Sequence, residues 1–447
     1  MEVVIFMRVD QMKCERMNIA GYGIVTANRR QYLVQDLLPG ETADIELGEN
    51  GHGTVIKRHE TSALRVKPPC PQYAECGGCT LQHLDYQEQL NVKTAYVKEC
   101  LDTFHLAPEA FIPCIGMKDP YHYRNKVQMV FSEKGRKILA GFYEENTHRI
   151  VNVDACNIQN LTANAIIRTC KALFMKHKIE PYYEDKETGL IRHVMIKCGE
   201  ATGQVLVVIV TSQEMFPGRN NFVKDLRKAH PEISSIVQNV NKRKTSIILG
   251  DFERVIYGKG FIQDVIMGKK FQISAKTFFQ VNAKQMEILY KKAIEFAKPQ
   301  PTDLVVDAYS GVGTIAIILA DMVKQVLAVE INPAAVKNAN QNAWLNGIRN
   351  IRFHQSDAVG FIKDLRDSGE KPDLVIVDPP RQGLDPEFVS ALIDAKPPKI
   401  VYISCDPLTL ARDLRFFTSA HYVLRRVQPV DMFCQTAHVE TVSLLSL

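Results

Sequence analysis

LVVDAYSGVGTIAIILA, residues 304–320, reads as an apolar run, a short glycine-containing loop and the start of a helix. Leu304, Val305 and Val306 have the composition of a buried strand. Gly311 and Gly313 let backbone approach a ligand and leave amide N–H groups free at a helix N-terminus. The pattern repeats downstream in LAVEI, IRFHQSD, LVIVDPP and KIVYISCD, with helical segments between them. Strands alternating with helices predict a parallel, doubly wound sheet over residues 271–447. In such a sheet ligands bind beyond the carboxyl ends of the strands, so the residues there are the candidates for chemistry.

Asp307 closes the first of these strands. The loop after it is not the dinucleotide fingerprint, and an acidic strand end beside a short G-x-G suits the methionine part of S-adenosylmethionine better than a pyrophosphate. Glu330 follows the glycines by about twenty residues, where a carboxylate can accept from both ribose hydroxyls. Asp357, at the next strand end, suits an adenine amino group. In LVIVDPPRQG (374–383) two prolines stiffen the turn after Asp378. A loop of that kind beside a methyl donor suits a planar nitrogenous substrate. In VYISCDPLTLARD (401–413) Cys405 falls at a strand-to-helix corner; the alternative is an inert buried thiol.

The chain has 447 residues, a net charge of +5 and an ordinary globular balance of 46% hydrophobic and 23% charged residues. This length suggests more than one domain, and the mild charge permits a polyanionic partner without demanding one. No apolar stretch approaches the roughly 20 residues of a membrane span. The N-terminus makes a poor signal peptide, so a cytoplasmic, monomeric protein without an obligate protein partner is expected. Eleven cysteines in such a chain point to metal or catalysis rather than disulfides. Short Gly-broken strands over residues 1–60 predict a small β-barrel. Residues 61–270 read as a mixed α/β domain, with a helical stretch at about 84–104.

DPPRQG, IVYISCDPLTLARD and DMFCQTAHVETV (431–442) together resemble the uracil-5 RNA methyltransferase family. AKTFFQVN (275–282), YRNKVQ (123–128) and the cysteine cluster extend the resemblance over nearly the whole chain, and the N-terminal barrel resembles a TRAM or OB-like domain. Asp406 departs from the usual Asn, and Cys434 from a usual Pro that would stiffen the loop leading to Glu440. The resemblance implies a C-terminal Rossmann-like methyltransferase domain with Cys405 as a nucleophile toward carbon 6 of uracil and Glu440 as the base that removes the carbon 5 proton. It implies that Asp378 holds the flipped base or the donor. Gln280, Tyr309, Thr314, Glu330, Asp357 and Asp378 become contacts of S-adenosylmethionine, and Phe278 a stacking platform or else a plain core aromatic.

Cys70, Cys76 and Cys79 stand as C-x5-C-G-G-C, with Cys156 far downstream. Four thiolates suit a [4Fe–4S] cluster or a zinc; spacing does not choose, and the resemblance favours the cluster. Arg124 and Lys126, interleaved with aromatics in YHYRNK, suit phosphate contact and stacking. GLIRH (189–193) and NKRK (241–244) add basic positions, with a solvated charge run as the alternative for the second. The expected activity is methylation of a uridine in 23S rRNA. A tRNA T-loop methyltransferase and a non-catalytic RNA-binding iron–sulfur protein are the competing readings.

Overall fold

The computed structural model describes residues 6–447 apart from 136, 145, 146, 148, 185, 245 and 246. Residues 6–60 form a six-stranded sheet whose apolar residues, Val25, Val34, Ala43, Ile45 and Leu47 among them, enclose a small core. Its outermost strands, Phe6–Lys13 and Arg16–Met17, do not pair with each other among the described residues, so the sheet curls without the closure a barrel requires. Buried Glu41 accepts from Arg58 Nε at 3.1 Å and Arg65 Nε at 2.6 Å, tying the sheet to the segment that leaves it.

The central seven-stranded sheet is mostly antiparallel. The helices Leu161–Lys176 and Arg219–Ala229 cover one face. The opposite face, through Met195, Leu206, Val208 and Val210, shares one apolar core with the hairpin 261–274 and the helix Ala283–Ala297. Central and C-terminal parts therefore have a continuous interior.

The C-terminal sheet has eight strands: β1 (Ala110–Phe111), β2 (Leu304–Ala308), β3 (Gln325–Glu330), β4 (Ile351–Gln355), β5 (Leu374–Val377), β6 (Lys399–Ser404), β7 (Val423–Val430) and β8 (Glu440–Ser446). They lie in the order β4-β3-β2-β5-β6-β8-β7-β1. The first five are parallel, as the strand–helix alternation predicts, and β8 runs antiparallel to β6.

One boundary differs from the sequence expectation. Helix α1 (Tyr86–Thr103) and β1 fall inside the stretch 61–270, yet both belong to the C-terminal sheet: β1 extends its edge beside β7, and Leu90, Val97 and Leu101 of α1 pack with Leu410, Leu414 and Leu424. Helix composition is local, but the partner of an apolar face is not. Among the described residues no helix is long and apolar enough to cross a membrane.

Candidate active site

The carboxyl ends of the five parallel strands lie along one edge of the C-terminal sheet. After β2 the chain turns left-handed at Tyr309 (φ 66°), Gly311 (φ 56°) and Gly313 (φ 79°), then enters α2 (Thr314–Leu319). A Cβ on Gly313 would lie 2.9 Å from the Phe353 ring, whereas one on Gly311 would meet open space. Glu330, ending β3, accepts from the Gly311 N–H at 3.0 Å and the Asn332 N–H at 2.7 Å, so it shapes the loop as well as facing it. Asp307 Oδ2 accepts from the Ala316 N–H at 2.9 Å, while its buried Oδ1 has no protein partner. Burial pushes that carboxyl up to about 8. An open glycine cradle with an orphaned carboxyl oxygen fits a ligand carrying donors and positive charge.

Asp357 has a structural duty: it caps α3 (Ala358–Asp367), accepting from the Gly360 N–H at 2.7 Å. Tyr309 packs edge-on against Phe388, centroids 5.6 Å apart. Phe278 is 73% exposed and is therefore not a core aromatic, while its neighbour Phe279 is buried. The Gln280 carbonyl accepts from the Asn125 side chain at 3.1 Å.

The reacting corner follows from strand pairing. Ser404, the last residue of β6, pairs with Thr441 of the antiparallel β8, so the next residue on each strand, Cys405 and Glu440, flank one another. Cys405 is half-buried and Glu440 is 2% exposed. Burial first, and then the carboxyls of Glu440 and Asp378, push the Cys405 thiol up to about 11; Arg381 opposes this. Burial, with Asp378 adding to it, raises Glu440 to about 8, and burial raises Asp378 to about 7. The corner thus holds a thiol that keeps its proton at neutral pH beside two carboxyls that titrate near it. Asp406 caps α4 (Pro407–Ser419), accepting from Leu408 and Thr409 N–H at 3.0 and 3.1 Å, so it fills the Asn's helix-starting role. Buried Asp413 accepts from the Leu384 N–H and the Tyr402 hydroxyl, both at 2.7 Å, and braces the Asp-Pro-Pro loop.

The segment leading to Glu440 is firmly held despite lacking the usual Pro. Lys93 of α1 donates to Asp431 Oδ1 at 2.5 Å with both side chains fully buried, and Tyr86 donates to Oδ2 at 2.8 Å. The Cys434 thiol is wholly buried, and the Tyr123 hydroxyl donates to the Cys434 carbonyl at 3.0 Å. Asp431 is therefore committed to Lys93 and Tyr86. Lys93 and Arg381 were not singled out from the sequence; Arg381 lies within the quoted DPPRQG, whereas nothing local marks Lys93.

Cys70, Cys76, Cys79 and Cys156 line one cavity of about 660 Å³. Burial raises Cys79, and the three other thiols of the set add to the shift. As placed, no group of three or more His, Cys, Asp or Glu among the described residues is close enough to hold a metal ion. Arg124 and Lys126 line this same cavity rather than an open surface, and burial lowers the Lys126 ammonium. Lys126 opens the strand Lys126–Lys134 and Arg124 bridges to Gln159 just before it, pairings invisible in a charge count. Arg192, in GLIRH, is buried and donates to the Asn241 and Arg243 carbonyls at 3.0 and 2.7 Å. In NKRK, Lys242, Arg243 and Lys244 pair with Glu214, Asp251 and Glu187, the solvated alternative.

The family model for tRNA (uracil-5-)-methyltransferases matches residues 85–447. The chain belongs to this family. An uncharacterized RNA methyltransferase of Halalkalibacterium halodurans is 39% identical over 444 residues, 98% of this chain and 97% of that one. Another, from Caldanaerobacter subterraneus, is 42% identical over 434 residues, 96% of each. The crystal structure of the Pyrococcus abyssi tRNA (uracil-54, C5)-methyltransferase in complex with S-adenosyl-L-homocysteine is 28% identical, with a TM-score of 0.79, over 98% of this chain and 100% of that one. The match begins at residue 85, just where α1 joins this methyltransferase's C-terminal sheet.

Proposed function

We propose that the protein methylates carbon 5 of a uridine in RNA, with S-adenosylmethionine as donor, through a covalent Cys405 adduct. The observation that carries this reading is the flanking of Cys405 by Glu440 across the β6–β8 pair, at the end of the sheet that holds the glycine loop. The donor, when bound, supplies an electrophilic methyl group. Gly311, Asp307, Thr314 and Glu330 are suited to cradle it, with Gln280, Tyr309 and Asp357 around them. The target base leaves its stack to reach the corner, where Phe278 offers an aromatic face. Cys405 gives up its proton to the neighbouring Asp378 carboxylate and its sulfur bonds to carbon 6, placing negative charge on carbon 5, which takes the methyl group as the sulfur–methyl bond of the donor breaks and S-adenosylhomocysteine is left. The Arg381 guanidinium favours the thiolate. After carbon 5 is methylated, Glu440 takes the carbon 5 proton, the double bond re-forms and the sulfur–carbon 6 bond breaks. A carboxyl raised to about 8 is a stronger base than an exposed one.

Our first reading of the substrate is 23S rRNA. A tRNA uridine is the second, favoured by the likeness to the Pyrococcus abyssi tRNA enzyme. Mapping 5-methyluridine in the rRNA and tRNA of a strain lacking the protein separates the two. Cys70, Cys76, Cys79 and Cys156 would hold a [4Fe–4S] cluster only by drawing closer together than they stand here; that all four line one cavity with Arg124 and Lys126 supports this. About four irons per chain are expected in protein purified without oxygen, and one zinc would overturn the assignment.

RNA carrying 5-fluorouridine at the target tests the chemistry. Wild type is expected to give a denaturation-resistant adduct, because fluorine cannot leave as a cation. Cys405→Ala gives none. Glu440→Gln accumulates a methylated adduct with ordinary RNA. An adduct formed by Cys405→Ala would refute the assignment of the nucleophile.

A further inference from the structure

A second basic region lies at the far edge of the central sheet. The helix Arg219–Ala229 and the edge strand Phe252–Tyr257 enclose a groove of about 710 Å³, lined by Arg219, Lys224, Arg227, Lys228 and Arg254. The helix buries Phe222 and Leu226 against the core, which turns residues 219, 223, 224, 227 and 228 outward on one face. The groove's five cations form no ion pair among the described residues. The nearby carboxylates are committed elsewhere: Asp225 accepts from Lys176 at 2.7 Å and His177 at 3.0 Å, and Glu253 accepts from Asn239 at 3.1 Å. Arg227 is held over the Tyr257 ring at 3.6 Å, which fixes a guanidinium on the groove floor. This contrasts with NKRK, where each cation has a carboxylate partner.

The edge strand that walls the groove begins close to the Phe278 loop. Lys276, two residues before Phe278, donates to the Asp251 carbonyl at 3.0 Å, so the edge strand starts beside the loop that carries Phe278. At about 3.3 Å per strand residue, Arg254 stands about 10 Å further along. That is roughly the span of three stacked nucleotides.

We infer that this groove is an RNA-backbone site, which takes the phosphodiesters of the strand running away from the target uridine and sets the length of RNA the enzyme recognises. The inference rests on the RNA-methyltransferase reading. Five unpaired cations in a concave channel complement a polyanionic strand, whereas a membrane surface is flat and is met by protruding apolar side chains. The contacts carry no base information, so the groove contributes affinity and reach rather than sequence choice.

The test compares wild type with Lys224→Gln/Arg227→Gln/Lys228→Gln, all three in the full chain, on two RNAs: a minimal target hairpin and one extended by a single-stranded flank. Binding is measured from 50 to 200 mM salt, and kcat and KM at one salt. Three lost phosphate contacts lower the salt slope by about 2.1 to 2.7. Over that fourfold salt range, wild type therefore loses about 20- to 40-fold more affinity than the variant for the extended RNA. KM for the extended RNA rises with kcat unchanged, and the minimal hairpin is bound and methylated equally by both. Lys224→Gln/Lys228→Gln, which leaves the Arg227–Tyr257 stack intact, shows about two-thirds of the change in slope. An unchanged slope overturns the inference, and variant-dependent binding to phosphatidylglycerol vesicles with that unchanged slope assigns the groove to a lipid surface instead. Wild type that methylates the hairpin but shows no gain from the flank overturns the inference alone; wild type that neither binds nor methylates either RNA overturns the wider reading with it.

Discussion

Lys93→Met removes one partner of the fully buried ion pair that anchors the loop ahead of Glu440. The ammonium donates to Asp431 at 2.5 Å and to the Phe433 carbonyl at 3.2 Å; after substitution Asp431 keeps only the Tyr86 hydroxyl on its other oxygen. Removing one member of a buried pair costs about 3–5 kcal/mol, because the remaining charge is desolvated and uncompensated. The lost bond to the carbonyl adds about 1 kcal/mol. A local opening equilibrium therefore rises by at least about two orders of magnitude, at roughly 1.4 kcal/mol per factor of ten. Thr80 and Leu81 report on it, since their N–H groups donate to the Gln435 carbonyl at 3.0 and 3.1 Å. Their amide hydrogen exchange is expected to accelerate about a hundredfold or more, while Val208 in the central sheet keeps its protection. Lys93→Met/Asp431→Asn, with no charge left unpaired, recovers most of the loss. Unchanged exchange at Thr80 and Leu81, or a double variant no better than the single, would show that the ion pair does not hold this loop.

Glu440 sets a pH dependence of stability: its carboxyl is raised from 4.5 to about 8 by burial, so the folded protein keeps a proton the unfolded chain has lost. The associated stability is present below pH 4.5 and fades as the pH rises through about 8, by at most about 4–5 kcal/mol; urea midpoints measured against pH should show this fall, and Glu440→Gln should reduce it, leaving the share of Asp307 and Asp378. Gly313→Ala forces a left-handed backbone and drives a Cβ into Phe353, whereas Gly311→Ala meets only the backbone cost of about 1 kcal/mol; the first should weaken donor binding by calorimetry far more than it does in a variant merely strained at 311. Arg381→Gln removes the cation that lowers the Cys405 thiol, so iodoacetamide alkylation of Cys405 below pH 10 should slow severalfold, and an equal rate would mean that Arg381 does not reach the thiol.

The parallel sheet was legible because each of its strands ends in its own punctuation: Asp307 before glycines, Asp378 before two prolines, Cys405 before a capped helix. Those signals are local. The pairing that brings Glu440 beside Cys405 is not, since β8 is antiparallel and follows a long excursion through β7. Motif resemblance supplied Glu440 where periodicity did not. Arg124 and Lys126 show the opposite failure: their charge was plain, but the cavity they line is shared with Cys70, Cys76 and Cys79, which are remote in sequence. The unpaired cations from Arg219 to Lys228 carry no such density of charge as NKRK, whose neutralising carboxylates Glu214 and Glu187 lie far off in sequence.

Because β1 completes a sheet whose other strands begin at Leu304 and α1 packs on it, the C-terminal domain is sewn together from two stretches with the central sheet's strands between them. Tyr86 and Asp431 are 345 positions apart. At about 5–20 residues per second, a ribosome takes roughly 20–70 s to cross that interval. Through that time α1 has been made and its apolar residues Leu90, Val97 and Leu101 lack the later residues they pack with. The same stitching makes a fragment that starts at residue 271 a poor choice for isolating the catalytic domain: it would leave the Leu410–Leu414 face bare and Asp431 buried without its lysine.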